Sequence, residues 1–187
     1  GVLRKCGEWD WQKDTKFETL YDLISNKHSH EKVLIFTQFA DSVRYIEDCL
    51  RKKGVAHVEG VTGCQENPTD YACRFSPVSN EVKILSSEQD IRVLVATDVL
   101  SEGQNLQDGY IVINYDLPWA IIRLIQRAGR VDRIGQKSET VYCYSFLPAD
   151  GVNRIIHLRE KILSRLKQNA EVVGADEAFF EEENNNQ

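Results

Sequence analysis

A chain of 187 residues with 42% hydrophobic content is long enough for one domain around one core. No apolar run nears the roughly 18 residues of a membrane span, and no basic stretch followed by an apolar one opens the chain, so a soluble globular protein without a secretory signal is expected. The net charge of −6 comes from the end: residues 171–187 hold six acids and no base, leaving a neutral body in which only local clustering could mark a nucleic-acid site.

Residues 1–14 carry no period and read as an irregular lead-in. Thr15-Lys16-Phe17-Glu18 fits a capping box, and Phe17, Leu20, Tyr21 and Ile24 follow at i, i+3, i+4 and i+7, which predicts a helix to about Asn26. Val33 to Phe36 is a continuous apolar run with polar flanks, the mark of a strand buried on both faces. A helix is expected over 40–53 with Val43, Ile46 and Leu50 inward, stopped by Gly54. Val55 to Val58 reads as a short strand, and Asn67-Pro68 as the cap and first residue of a helix reaching Phe75.

The second half repeats the alternation. Strands are predicted at Val93 to Ala96, Tyr110 to Ile113 and Val141 to Leu147, with a helix from Pro118 to about Ala128. Asp150 would cap a last helix with Val152, Ile155, Ile156, Ile162, Leu163 and Leu166 on one face, and the acidic end of the chain reads as disordered. Strands alternating with helices predict an α/β fold, a mostly parallel central sheet in a three-layer sandwich.

Five cysteines, Cys6, Cys49, Cys64, Cys73 and Cys143, show no paired spacing, so free and mostly buried thiols in a reducing compartment are expected. No methionine occurs, even at position 1, which suggests a segment excised from a longer polypeptide. His28 and His30 read as solvated loop residues, and no spacing suggests a metal site.

Residues 123–137 contain five bases (Arg123, Arg127, Arg130, Arg133, Lys137) and one acid. Arg123, Arg127 and Arg130 fall at i, i+4 and i+7, so a helix would project them from one face, opposite Ile121, Leu124, Ile125 and Ala128. Such a row repels itself unless an anion is met there, and planar guanidinium forks suit phosphate oxygens. The second signal is the loop Ala96-Thr97-Asp98-Val99-Leu100-Ser101-Glu102-Gly103-Gln104-Asn105-Leu106-Gln107, directly after a buried strand at the carboxyl edge of the sheet, where ligands usually bind.

In order, Phe36-Thr37-Gln38-Phe39, the 96–107 loop, Ile113 to Trp119 and Gln126 to Gln136 (QRAGRVDRIGQ) resemble the C-terminal RecA-like lobe of superfamily 2 helicases. More narrowly they are similar to SWI/SNF-type DNA translocases, notably bacterial members of the RapA kind. The resemblance covers about residues 15–148, and the lobe would extend to about residue 170, followed by the acidic tail 171–187.

The resemblance implies arginine fingers at Arg130 and Arg133, with Gln126 orienting the finger helix. It implies nucleotide contact at Gly103 and Asn105, and contact with a nucleic-acid backbone at Thr37, Thr97, Thr62 and Gly63. ATP and Mg2+ would be held mainly by an N-terminal RecA-like lobe of the same polypeptide, because this chain has neither GxxxxGK[ST] nor an Asp-Glu pair after a strand. The implied partner is DNA, with RNA as the alternative, in the cytoplasm and at the bacterial nucleoid; a non-catalytic binding module is the reading from another class. Two departures stand out: Ala120-Ile121 after Trp119, where the family often has Asn-Pro, and Thr69-Asp70 where an Arg is common.

Overall fold

The computed structural model describes residues 11–83, 90–100, 104–118, 120 and 122–147. Most of the lead-in, the helix predicted from Asp150, the acidic tail, Gly103 and Trp119 lie outside the described residues.

Five strands, β1 (Val33–Phe36), β2 (Val58–Val61), β3 (Val93–Ala96), β4 (Ile111–Asn114) and β5 (Tyr142–Ser145), form one sheet in the order β2-β3-β1-β4-β5. Every pairing is parallel. Among the described residues four α-helices lie between the strands or before them: α1 (Thr15–Asp22), α2 (Ala40–Lys52), α3 (Pro68–Phe75) and α4 (Ile122–Ala128).

β1, β3 and β4 are buried along their whole length, which is why they are continuous apolar runs rather than alternating ones. Val33, Ile35, Val93, Val95, Ile111 and Ile113 point to one face and pack with Phe17, Leu20, Ile46 and Leu50 of α1 and α2. The alternate residues Leu34, Phe36, Leu94, Ala96 and Val112 pack on the other face with Ala72 and Phe75 of α3, Leu106 and Val131. Helices thus cover both faces, giving the expected three layers.

The local chemistry corrects several sequence expectations. Asp14, not Thr15, caps α1: its carboxylate accepts from the Lys16 and Phe17 amides at 3.0 and 3.1 Å and from the Tyr45 hydroxyl at 2.8 Å. Asp14→Ala removes all three hydrogen bonds and is expected to destabilise the chain by about 1–2 kcal/mol, the upper range for an N-cap. Asp14→Asn should keep most of that stability, as paired thermal melts would show.

β2 starts three residues later than expected. The chain turns through His57 at φ +57°, and the His57 carbonyl takes both the Arg92 and Val93 amides at 2.9 and 3.1 Å, so pairing with β3 begins only at Val58. α4 starts at Ile122 rather than Pro118, because the 115–117 segment is held to β1 instead: Gln38 Nε2 donates to the Leu117 carbonyl at 2.9 Å.

α1 runs into a wide turn over Leu23–Lys27, closed by the His28 amide on the Leu23 carbonyl at 2.9 Å. That turn carries His28 inward, so His28 is not a solvated loop residue: it is 6% exposed, with Nε2 2.9 Å from the Tyr144 hydroxyl. Burial lowers its pKa, against the opposing pull of Glu31. Tyr142 and Tyr144 stack nearly parallel beside it, as sheet packing requires.

The four described cysteines are free, but only Cys49 is buried while Cys64 is exposed, so the thiols are not mostly buried. Desolvation pushes the Cys143 thiol up to about 11, which keeps it protonated at neutral pH. No described helix is long and apolar enough to cross a membrane.

Candidate functional site

Parallel register brings the strand ends level. Val61, Ala96, Phe36 and Asn114 pair in one row, so Thr62, Thr97, Thr37 and Tyr115 each follow directly at the carboxyl edge, on strands about 4.8 Å apart. Three candidate threonines far apart in sequence thus become neighbours across β2, β3 and β1.

Their surroundings differ. Thr37 is fully buried and its hydroxyl donates to the Asp116 carboxylate, which also accepts the Gln38 amide at 3.0 Å. Thr62 is 3% exposed and its hydroxyl donates to Gln65 Oε1 at 2.7 Å. Thr97 is half-buried, with its amide on the Val61 carbonyl at 3.1 Å. Gly63 is exposed with open space around it. Beside Thr37 the aromatic Phe39 is 62% exposed, an outward ring that sequence reading did not single out. Burial lowers the pKa of the neighbouring Lys16 ammonium, opposed by Asp116 and Asp14; its Nζ sits 3.9 Å from the centre of the Tyr115 ring.

A second group forms where the loop after α4 meets residues 104–109. The Leu106 amide donates to the Arg130 carbonyl at 3.3 Å, and Gln107 Nε2 to the Ile134 carbonyl at 3.1 Å. Gln136 Nε2 lies 2.9–3.2 Å from the carbonyls of Val131, Gln107 and Gly109. The Arg130–Arg133 loop is therefore pinned at both ends to the segment that carries Asn105. Asn105 is itself held, donating to the Ser79 carbonyl at 3.0 Å. Gln126 is exposed, and its carbonyl accepts Arg130 Nε at 3.3 Å. Arg133 is exposed, as is Ile134 beside it.

The arginine row does not share one outward face. Arg123 is about half exposed and donates to Asp98 at 2.6 Å, but Arg127 is fully buried and donates to the same carboxylate at 2.8 Å. Three residues from Leu124 on a 3.6-residue helix, Arg127 lies only about 60° from that buried position, and Asp98 draws it in. Asp98 and Asp116 are the residues that the sequence does not single out, and Arg127, expected to project outward with the row, instead turns in to meet them. The one signal for the two acids was their place just after a buried strand.

Among the described residues no group of three His, Cys, Asp or Glu side chains is placed to hold a metal ion. A cleft of about 740 Å³ borders Gln107, Asp108, Gly135 and Gln136 and reaches the Lys32–Asp90 ion pair. It lies at the amino ends of β1, β3 and β4, away from the threonines.

The chain is similar to known proteins. Over 162 residues the chain is 33% identical to an uncharacterized ATP-dependent helicase, YqhH, of Bacillus subtilis, covering 82% of this chain and 27% of that protein. It is 30% identical over 130 residues to the RNA polymerase-associated protein RapA of Vibrio campbellii, covering 69% of this chain and 12% of that one. The chain therefore spans about a quarter or less of these relatives' lengths. Among solved structures, the C-terminal part of the Fun30 ATPase domain superposes with a TM-score of 0.65 at 23% identity, over 83% of this chain and 48% of that one. The fold is the RecA-like α/β sandwich of helicase C-terminal domains. Residues 15–135 match the helicase conserved C-terminal domain, from the capped start of α1 through the pinned arginine loop, and the chain belongs to that family.

Proposed function

We propose that this chain is the C-terminal motor lobe of an ATP-dependent DNA translocase. In this reading Arg130 and Arg133 reach a nucleotide held mainly, with its Mg2+, by an N-terminal RecA-like lobe of the same polypeptide. Bound ATP supplies the γ-phosphoryl group whose transfer to water drives the cycle. What this chain adds is two permanent, planar positive charges that meet the charge spreading over the phosphoryl oxygens. Gln126 orients Arg130 through its carbonyl. Asn105 and Gly103 are assigned to the ribose or the attacking water, Asn105 from the loop between β3 and β4.

The observation that carries this reading is the pinning of the Arg130–Arg133 loop to the Asn105 segment at both ends. A loop that only displayed charge to solvent would not need that scaffold; one that must place a fork within a fraction of an ångström does. The nucleic-acid backbone is met at the carboxyl edge by Thr97 and by Gly63. Thr37 and Thr62, whose hydroxyls are given to Asp116 and Gln65, shape the loops that meet it. Closing and opening of the two lobes around ATP steps this grip along the strand.

The test uses the isolated chain. It should hydrolyse no ATP, because it carries half of the site. It should bind DNA weakly and without sequence preference, the log of affinity falling against log salt with a slope of about two to four. Tight, sequence-selective binding at physiological salt would instead identify a binding module. Markedly stronger binding of RNA than DNA of equal length would move the assignment to an RNA helicase.

A further inference from the structure

The bulkiest fully buried side chain among the described residues is a guanidinium, that of Arg127. Its Nε donates to Asp98 Oδ1 at 2.8 Å, and its Nη1 lies 3.0 Å from Asn114 Oδ1 and 3.5 Å from the Asp116 carbonyl. Its Cζ stands 5.1 Å from the centre of the Phe36 ring. Arg123 donates to the other oxygen of Asp98 at 2.6 Å. Nη2 has no acceptor among the described residues.

Stability does not account for this arrangement. A buried ion pair can usually be replaced by packed apolar side chains without loss, and a buried N–H without an acceptor is a further cost. Leu124 and Ala128, both apolar, are already buried on α4. What distinguishes Arg127 is the set of groups it joins. Asp98 is bonded covalently to Thr97. Asn114 ends β4, and two residues later the Asp116 carboxylate holds the Thr37 hydroxyl and the Gln38 amide. On the other side the Arg127 carbonyl accepts the Arg130 amide at 3.2 Å.

We infer that the Arg127–Asp98 pair is a positioning tie that couples nucleic-acid contact at the strand ends to the placement of the Arg130–Arg133 loop. The inference rests on the function proposed above. A guanidinium fork bonded to Asp98 and Asn114 holds only over a narrow range of positions, so α4 and the loops after β3 and β4 must shift together or break the fork. Nucleic acid pressing on Thr97 then moves the segment that leads into Arg130, and nucleotide at Arg130 changes the grip at Thr97 in return, as linkage requires for binding. Arg127 and Asp98 touch neither ligand. They act through Arg130 and Thr97.

Spatial intermediacy is not coupling, so the test is a double-mutant cycle in the full-length protein that carries this chain. ATP hydrolysis is measured with and without DNA for Asp98→Asn, Arg127→Met and the pair combined, each alongside a thermal melt. Asp98→Asn leaves the Arg127 charge buried without its counter-ion, and Arg127→Met leaves Asp98 with Arg123 alone, so both should melt lower; the double variant removes both charges and should recover. The expected result is that the double variant keeps basal hydrolysis within about twofold while its stimulation by DNA falls roughly tenfold, the scale of a typical allosteric coupling.

The ratio of stimulated to basal rate cancels any loss of folded protein, so a purely structural role leaves it unchanged. Arg127→Lys, which keeps the charge and loses the fork, provides a second reading should the double variant melt low, and its ratio should also fall. Wild-type stimulation in both the double variant and Arg127→Lys would overturn the tie while leaving the motor assignment intact. An unmutated protein with no DNA-stimulated hydrolysis would overturn the motor assignment, and this inference with it.

Discussion

Changing Arg130 or Arg133 to lysine in the full-length protein is expected to lower ATP turnover by roughly 10²-fold or more, while nucleotide affinity hardly changes. The reason is geometric. Lysine keeps the positive charge but presents a single point where arginine presents a fork, so it cannot hold two phosphoryl oxygens at once. That second contact matters most as negative charge spreads in the transition state, so its loss appears in kcat rather than in binding. The loop around the substitution should stay in place, because its anchors are backbone carbonyls and amides together with Gln107 and Gln136.

Arg123→Lys is the internal control. Its side chain is half exposed and pairs with Asp98, an ammonium can keep that pair, and the effect should stay within a few-fold. Single-turnover hydrolysis and equilibrium nucleotide binding on the three variants decide the matter. Normal hydrolysis by both finger variants, or an equal loss in Arg123→Lys, would remove the finger assignment and leave a phosphate-backbone patch in its place.

The largest effect on stability is expected from Phe36→Ala. Phe36 is fully buried at the end of the central strand, packed in the cluster that joins the sheet to α3, and the Arg127 guanidinium lies over its ring. Removing a buried phenylalanine costs about 3–5 kcal/mol through lost transfer energy and the cavity left behind. At about 2–4 °C per kcal/mol for a chain of this size, the melting temperature should fall by roughly 6–20 °C. Phe36→Leu, which refills most of the volume, should lose less than half of that. A fall below about 3 °C for the alanine variant would mean that the site collapses onto the gap, and that Phe36 does not organise the strand ends.

How far the sequence could be read follows from the kind of signal each feature leaves. β1 and β3 are legible to the residue, because a strand buried on both faces must be apolar throughout and polar residues bound it. β2 is misplaced because Val55-Ala56-His57-Val58 is as apolar as Val58-Glu59-Gly60-Val61, and only the positive φ of His57 decides where pairing begins. The α1 cap is displaced by one residue for a comparable reason. Asp14 and Thr15 are both good caps, and Asp14 wins because Tyr45, on another helix, gives its carboxylate a further partner. α4 loses its expected first turn to bonds with Gln38, a residue about eighty positions earlier.

The order of motifs, the α/β alternation and the parallel sheet are properties that the sequence determines alone. Each rests on a periodicity or a local spacing that records how a residue prefers to meet solvent or its near neighbours. Tertiary structure decides the sheet order, the level row of Thr62, Thr97 and Thr37, and above all which arginine of the row turns inward. Arg127 reads from its helix as one more exposed base. It is buried because Asp98, 29 residues earlier, and Asn114, 13 residues earlier, meet it across the sheet edge. A charged side chain is buried or exposed according to the partners that compensate its desolvation. Those partners come together only when distant strands close into one sheet, so no pattern along the chain can announce them.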